Sequence, residues 1–284
     1  MANINSELPL GMLDENYELN DYDFVLFHLY ESCQEYKEYY LRMRQDHPDR
    51  LMIFDNSAYE YFVKGERLDM DAYVQAVLEL KPDYYILPDV LRDKEKTLEG
   101  VRTFIKDYLH NDKYSDTLLF SSMTGFMVPL AVAQGSSSED LEECIQEFNN
   151  YGFTAIGIPF HLDFYTEGQY SQDIEGEFME VYGKETKDIR YAMGRVRWIR
   201  DHEDILKKFN YVHLLGSHCP LEKVFYSDYN SMDTGYPVKC AMVGVKLGEE
   251  TEKPSVIIDD FLSSKIDGKT KELIRMNVNT FKNY

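Results

Sequence analysis

The chain has 284 residues, 44% of them apolar, and a formal charge of −21. That length suits one large α/β barrel or two ordinary domains, and that composition argues against overall disorder. The acidic balance argues against a simple nucleic-acid binder, whose affinity comes largely from Lys and Arg neutralising phosphates, unless a local basic lip sits on the acidic body. Four cysteines, Cys33, Cys144, Cys219 and Cys240, carry no C-x-x-C spacing, which argues against a structural zinc site and a secreted disulfide framework. The N-terminal stretch "MANINSELPLGMLDENYELN" has neither the basic nor the apolar region of a signal peptide. No apolar run approaches the ~18 residues that span a membrane. The expectation is a soluble, cytoplasmic protein without a membrane partner.

Short apolar runs alternate with helical patterns along the chain. "DFVLFHL" (23–29) reads as a buried strand and is followed by a helix through 46. "RLMIF" (50–54) is the next strand, then a helix over 69–80. "DYYIL" (83–87) precedes a helix over 93–109, and "FMVPLAVA" (126–133) precedes one over 136–152. "FTAIGI" (153–158) leads into a charged, helix-rich insertion at about 165–210. "YVHLL" (211–215) and "DYNSM" (228–232) are the last strands that read clearly, with a short helix from Leu221 between them. Asp69, Asp93 and Ser136 to Ser138 are N-cap types with acids in the following turn. Strands of four to eight residues alternating with helices imply βαβ units and a parallel sheet. Seven strands are legible, and an eighth fits near 238–247 or in the N-terminal segment. The predicted fold is therefore α/β, a (β/α)8 TIM-type barrel over 1–284 as one domain, with "LGEETEKP" (247–254) as an exposed loop.

Parallel α/β folds bind ligands at the C-terminal ends of their strands. The predicted strand ends carry Asp55-Asn56-Ser57, Asp89, Gln134-Gly135, Pro159 with His161, Gly216-Ser217-His218, and Asp233. None carries a cluster of Lys or Arg, and no glycine-rich dinucleotide or P-loop motif is present. Taken singly, each residue has a plainer use: an Asp caps helices and makes turns, and His161 or His218 completes a packed core. Together they offer three carboxylates, an amide and exposed backbone amides. The segment "RYAMGRVRWIR" (190–200), with four arginines and the only Trp, reads either as an amphipathic packing helix or as a phosphate-contacting lip.

Six segments at these strand ends resemble the tRNA-guanine transglycosylase superfamily, in particular the shorter phage and bacterial 7-deazaguanine DNA-modification transglycosylases. They are "FDNSAYE" (54–60), "LPDVLRDKEKT" (87–97), "AVAQGSSSEDL" (131–141), "AIGIPFH" (155–161), "VHLLGSHCP" (212–220) and "SMDTGYP" (231–237), in family order. The resemblance implies that Asp233, with Pro237 four residues on, is the nucleophile and Asp55 the general acid/base. It implies that Asp89 and Gln134 bind the base edge and that the backbone of Gly157 and Ile158 lines the base pocket. Asn56, His161 and Gly216 fall on the substrate side, and Tyr59, Phe160 or Met242 could sandwich the base.

These residue types suit the implied chemistry. A carboxylate stabilises the positive charge that builds on the sugar as an N-glycosidic bond breaks, and can form a covalent sugar–enzyme intermediate. A second carboxylate protonates the departing base. An ionised Asp, acceptor-only, matches the N–H donors of guanine's pairing edge. The chain departs from the tRNA enzymes in lacking their zinc site of three close cysteines and a histidine after Cys240, and in lacking a basic C-terminal surface. The expectation is therefore DNA rather than tRNA as partner, a 7-deazaguanine-type base as co-substrate, no metal and no cofactor, and the host cytoplasm if the chain is phage-encoded. The charge of −21 suggests a protein partner that supplies positive charge. Two other functions stay open at this level: a hydrolase or transferase of free nucleosides or small glycosides, and a non-catalytic base- or partner-binding member.

Overall fold

The computed structural model describes residues 2–111, 113–114, 117–118, 126–226, 229–248 and 266–284. Its strands are β1 (Asn3–Ser6), β2 (Asp23–Leu26), β3 (Met52–Asp55), β4 (Tyr84–Ile86), β5 (Val128–Val132), β6 (Ala155–Pro159), β7 (Tyr211–Leu215) and β8 (Ser231–Thr234). They form one sheet in the order β1-β8-β7-β6-β5-β4-β3-β2, with parallel registers such as Val25↔Phe54, Ala131↔Ile156 and Asn5↔Asp233. Eight parallel strands in sequential order with interleaved helices make this an α/β chain of the (β/α)8 TIM-barrel class.

The eighth strand is the N-terminal β1. The other candidate stretch, 238–247, opens inside the helix Tyr236–Met242, which has Pro237 in its first turn, where a missing N–H costs nothing. β1 has one apolar residue in the strand, Ile4, yet Asn5 and Ser6 are also buried. Asn20 makes that burial tolerable: its Oδ1 accepts from the Ser6 N–H at 2.7 Å and its Nδ2 donates to the Ser6 carbonyl at 2.9 Å. A side-chain amide thus satisfies backbone groups that would otherwise be costly to bury.

The chain divides into two compact units. One comprises Tyr22–Ile158 and Lys207–Val212. Here β2 ends at Leu26, three residues before the predicted strand does, and the helix Phe27–Ser32 begins at once. The predicted helix to 46 is two helices, because Cys33 takes an extended conformation (φ −122°, ψ 106°) before Gln34–Asp46 restarts. The N-caps fall as expected: Asp69 accepts from Ala72 N, Asp93 from Lys96 N and Ser137 from Asp140 N.

The other unit comprises Met1–Asp21, Pro159–Leu206 and His213–Tyr284. The predicted insertion holds the helices Gln172–Tyr182, Lys187–Asp201 and Glu203–Leu206. The middle helix packs against the turn Asp163–Thr166, and Gly194 permits it, since a Cβ there would lie 1.9 Å from the Tyr165 carbonyl oxygen. Arg195 and Trp198 on this helix are buried, and its other arginines also have partners: Arg190 pairs with Glu185, Arg200 with Asp173, and Arg197 donates to the Gln169 carbonyl. Arg195 is thus a packing residue, whereas Arg190, Arg197 and Arg200 meet their partners at the surface. The C-terminal helix Gly268–Lys282 is held to Tyr236–Met242 by Asn277, which donates to the carbonyls of Pro237 and Val245 and accepts from Leu247 N. Of the predicted loop 247–254, only Leu247 and Gly248 lie within the described residues.

Candidate active site

In the first unit the polar strand ends of β3, β4 and β5 join in one network. Asn56 donates from Nδ2 to the Leu87 carbonyl at 2.7 Å and to Asp89 Oδ1 at 2.9 Å, while its Oδ1 accepts from Ala58 N at 2.8 Å. Gln134 donates from Nε2 to Asp89 Oδ2 at 2.7 Å, and its Oε1 accepts from Arg92 N at 3.0 Å. Each amide is thus oriented by backbone groups and presents only N–H to Asp89. The partly buried carboxylate receives one donor on each oxygen and keeps its remaining lone pairs for other donors.

The backbone around this network is strained where it feeds it. Ser57 (φ 58°) and Arg92 (φ 63°) both lie in the left-handed region, at a cost on the order of 1–2 kcal/mol each for residues with a Cβ. Ser57 is held there by its N–H donating to Asp55 Oδ2 at 2.7 Å and by its Oγ, which accepts from His28 N at 3.1 Å and lies 2.9 Å from His28 Nδ1. Arg92 is held by the Gln134 amide. Strain of this kind persists only where surrounding contacts over-determine it, and such places tend to be functional sites.

Burial raises the pKa of Asp89 above 3.8, against the lowering effect of the Asn56 and Gln134 amides. A folded pKa above the unfolded one means that the folded chain holds the proton more tightly. The stability from this group is then fully present below the unfolded pKa and is lost as pH rises through the folded one. Wild type is expected to lose stability relative to Asp89→Asn as pH climbs above about 4, the ordinary carboxylate value, and to level off once the folded carboxyl is ionised. Urea melts at a series of pH values measure this, and a difference that is flat with pH contradicts it.

In the second unit the focus is Asp233. The sequence places it after its strand, whereas it is the third residue of β8, with its side chain buried. Its Oδ1 accepts from His213 Nε2 at 3.1 Å and from Gly216 N at 3.0 Å. Oδ2 has no hydrogen-bond partner among the described residues. Ser231, two residues earlier and so on the same strand face, contacts His213 Nδ1 through its Oγ at 2.8 Å. With Nε2–H donating to Asp233, Nδ1 faces the Ser231 hydroxyl. The positive φ of Gly216 (68°) aims its N–H at the carboxylate, a conformation that side chains disfavour.

The turn carrying Gly216 is itself anchored. Arg195 donates to the carbonyls of Leu215 at 3.0 Å and Gly216 at 2.7 Å, and from Nε to Glu222 Oε1 at 2.7 Å. Glu222 also accepts from Tyr226 and Ser217, each at 2.7 Å. Arg195 and Glu222 are both fully buried, at 0% exposure. Burial alone opposes the Arg195 charge, and Glu222 and Tyr226 beside it more than offset that, holding its pKa above the ordinary value.

The expected residues therefore fall into local groups. Asn56, Asp89 and Gln134 are hydrogen-bonded together, and Asp55 caps the turn beside them. Gly157 lies in β6 with its carbonyl accepting from Ala133 N, and Ile158 is buried next to it. Gly216 meets Asp233 directly. His161 stands instead with His218, ring centroids 4.8 Å apart, and near Asp188. Of the candidates for sandwiching a base, Phe160 is a core residue packed under the Arg195 guanidinium at 4.9 Å, while Tyr59 is exposed. Sequence reasoning missed His213, Ser231, Arg195 with Glu222, and Asp188. One signal for the first was present: a histidine in the middle of the apolar strand "YVHLL".

No protein-family model matches the chain, and no curated protein matches it at a significant level. No helix among the described residues is long and apolar enough to cross a membrane. Fold and site together define a (β/α)8 chain with a buried, oriented carboxylate on β8 and a carboxylate–amide network after β3, β4 and β5.

Proposed function

We propose that the chain is a base-exchange transglycosylase that replaces guanine with a 7-deazaguanine derivative in DNA through a covalent Asp–sugar intermediate. The observation that carries this reading is Asp233. Two donors fix one of its carboxylate oxygens while the other has no hydrogen-bond partner among the described residues. That is what a nucleophile toward an anomeric carbon requires. The six segments that resemble the transglycosylases support it, as does the residue chemistry below.

In this reading Asp233 Oδ2 attacks the anomeric carbon as the glycosidic bond breaks, and Asp55 delivers a proton to the departing guanine. The incoming base gives a proton back to Asp55 and attacks the same carbon from the opposite side, releasing Asp233. Two displacements retain the configuration. Asp89 accepts from the N–H donors of guanine's pairing edge with the lone pairs its two amides leave over. The second amide hydrogen of Gln134 donates to O6. Asn56, both of whose amide hydrogens are already engaged, positions Asp89 instead of touching the base. Gly157 and Ile158 line the base pocket through their backbone, and the target nucleotide leaves its stack to enter. A partner protein supplies the positive charge that a chain of −21 lacks.

The decisive experiment incubates the purified chain with DNA containing labelled guanine and a free 7-deazaguanine base, and follows label release with mass spectrometry of the nucleosides. The expected result is loss of label matched by appearance of the modified nucleoside. A gel shift at low salt with single- and double-stranded DNA accompanies it. If neither form binds, alone or with host extract, the polynucleotide version fails. Base release from free nucleosides would then favour the second reading, a nucleoside or small-glycoside transferase, which the acidic charge favours.

A further inference from the structure

His161, Asp188 and His218 come from three separate segments of one unit. His161 follows β6, Asp188 sits in the first turn of the helix Lys187–Asp201, and His218 follows β7. The transglycosylase reading uses neither Asp188 nor His218. All three are half-buried, and one donor atom from each lies within 4.8 Å of the other two. His218 Nδ1 and Asp188 Oδ1 are 3.2 Å apart. Two ligands bound at ~2.0–2.1 Å to one tetrahedral ion lie about 3.3 Å apart. This pair therefore already has the spacing of neighbouring ligands, and a ring nitrogen of His161 lies within 4.8 Å of a ligand atom of each.

The rings are also oriented. Tyr191 packs on His161 at 5.2 Å between centroids, and Phe160 and Tyr236 pack on His218 at 5.0 and 5.3 Å. Aromatic walls restrict how each imidazole turns, so less rotamer freedom is lost when a ligand binds. We propose that His161, Asp188 and His218 bind one divalent transition-metal ion of the Zn2+ class. Two imidazoles and a carboxylate suit zinc and its first-row neighbours over Mg2+ and Ca2+, which take oxygen ligands. Three protein ligands leave a coordination position for water or a substrate oxygen, the pattern of a catalytic and not a structural zinc site. The expectation of no metal rests on the absence of clustered cysteines, whereas these ligands are separated by 27 and 30 positions along the chain. The inference goes beyond the transglycosylase reading and does not depend on it.

The competing account is a His218–Asp188 ion pair with His161 stacked beside it and no metal. The test uses the full, untagged chain stripped with EDTA and desalted. Calorimetric titration with ZnCl2, and metal analysis after a second desalting, are expected to give one equivalent of bound zinc that excess Mg2+ does not displace. Co2+ in place of Zn2+ is expected to give visible d–d bands without thiolate charge transfer. The double variant His161→Ala/His218→Ala is expected to weaken Zn2+ binding at least about a hundredfold, and Asp188→Asn about tenfold or more. Circular dichroism and the unfolding midpoint check that each variant folds. Absence of stoichiometric zinc on the wild-type chain overturns the proposal, as does undiminished binding by the folded double variant. If that variant does not fold, the Co2+ spectrum decides: thiolate bands, or none at all, overturn the site.

Discussion

Asp233→Asn is expected to abolish guanine exchange, by at least about a thousandfold in kcat, while the chain stays folded and still binds the free base. The substitution suits the site. Asparagine keeps an oxygen to accept from His213 Nε2 and the Gly216 N–H, the two bonds that fix Oδ1. Its NH2 then replaces Oδ2, the oxygen with no described partner, so little structure should be lost. What disappears is the negative charge that stabilises an oxocarbenium-like sugar and the oxygen that bonds to it. Trapping sharpens the test: wild type with labelled DNA and no incoming base should accumulate a denaturation-resistant protein–DNA adduct, and the variant should not. Exchange persisting in Asp233→Asn would remove the nucleophile assignment, and intact exchange in Asp233→Ala would remove the catalytic reading altogether.

Arg195→Leu is expected to carry the largest stability penalty of any single substitution considered, about 3–5 kcal/mol. The guanidinium and Glu222 are both fully buried. Removing one partner leaves the other as an uncompensated charge in a low-dielectric interior, which costs more than the pair itself contributes. The carbonyls of Leu215 and Gly216 lose their donors as well. Thermal unfolding should shift down by roughly 10 °C. A control separates charge from packing. Glu222→Gln in the Arg195→Leu background removes the stranded charge and should recover part of the loss, whereas a purely steric role would show no recovery. Because Arg195 also holds the turn that aims Gly216 N–H at Asp233, a folded Arg195→Lys variant should lower kcat more than base affinity.

Much of the fold was legible in the sequence because its signals are local. Buried strands of a parallel sheet read as short apolar runs, which place β2 to β7 within three residues of their observed ends and β7 residue for residue. Helix starts read from Asp69, Asp93 and Ser137 because an N-cap is a contact within one turn. β1 was hidden because its burial depends on Asn20, fourteen residues away, and not on apolar residues of its own. β8 lies later than the expected 228–232, since "MDTG" shows no apolar alternation and pairing with β1 and β7 decides the strand's extent.

For the candidate site the division is similar. The sequence by itself determined the fold class and which residue types stand at the strand ends, since strand, turn and cap preferences act within a few residues. Tertiary structure alone decided the partners. It locked the Asn56 and Gln134 amides so that Asp89 faces only donors. It set His213 and Gly216 on one oxygen of Asp233, made Arg195 an internal anchor for the β7 turn, and gathered His161, Asp188 and His218 from three segments. Each of these arrangements depends on contacts between residues distant in sequence, and distance along the chain carries no information about which polar side chains a packed sheet will bring within hydrogen-bonding reach.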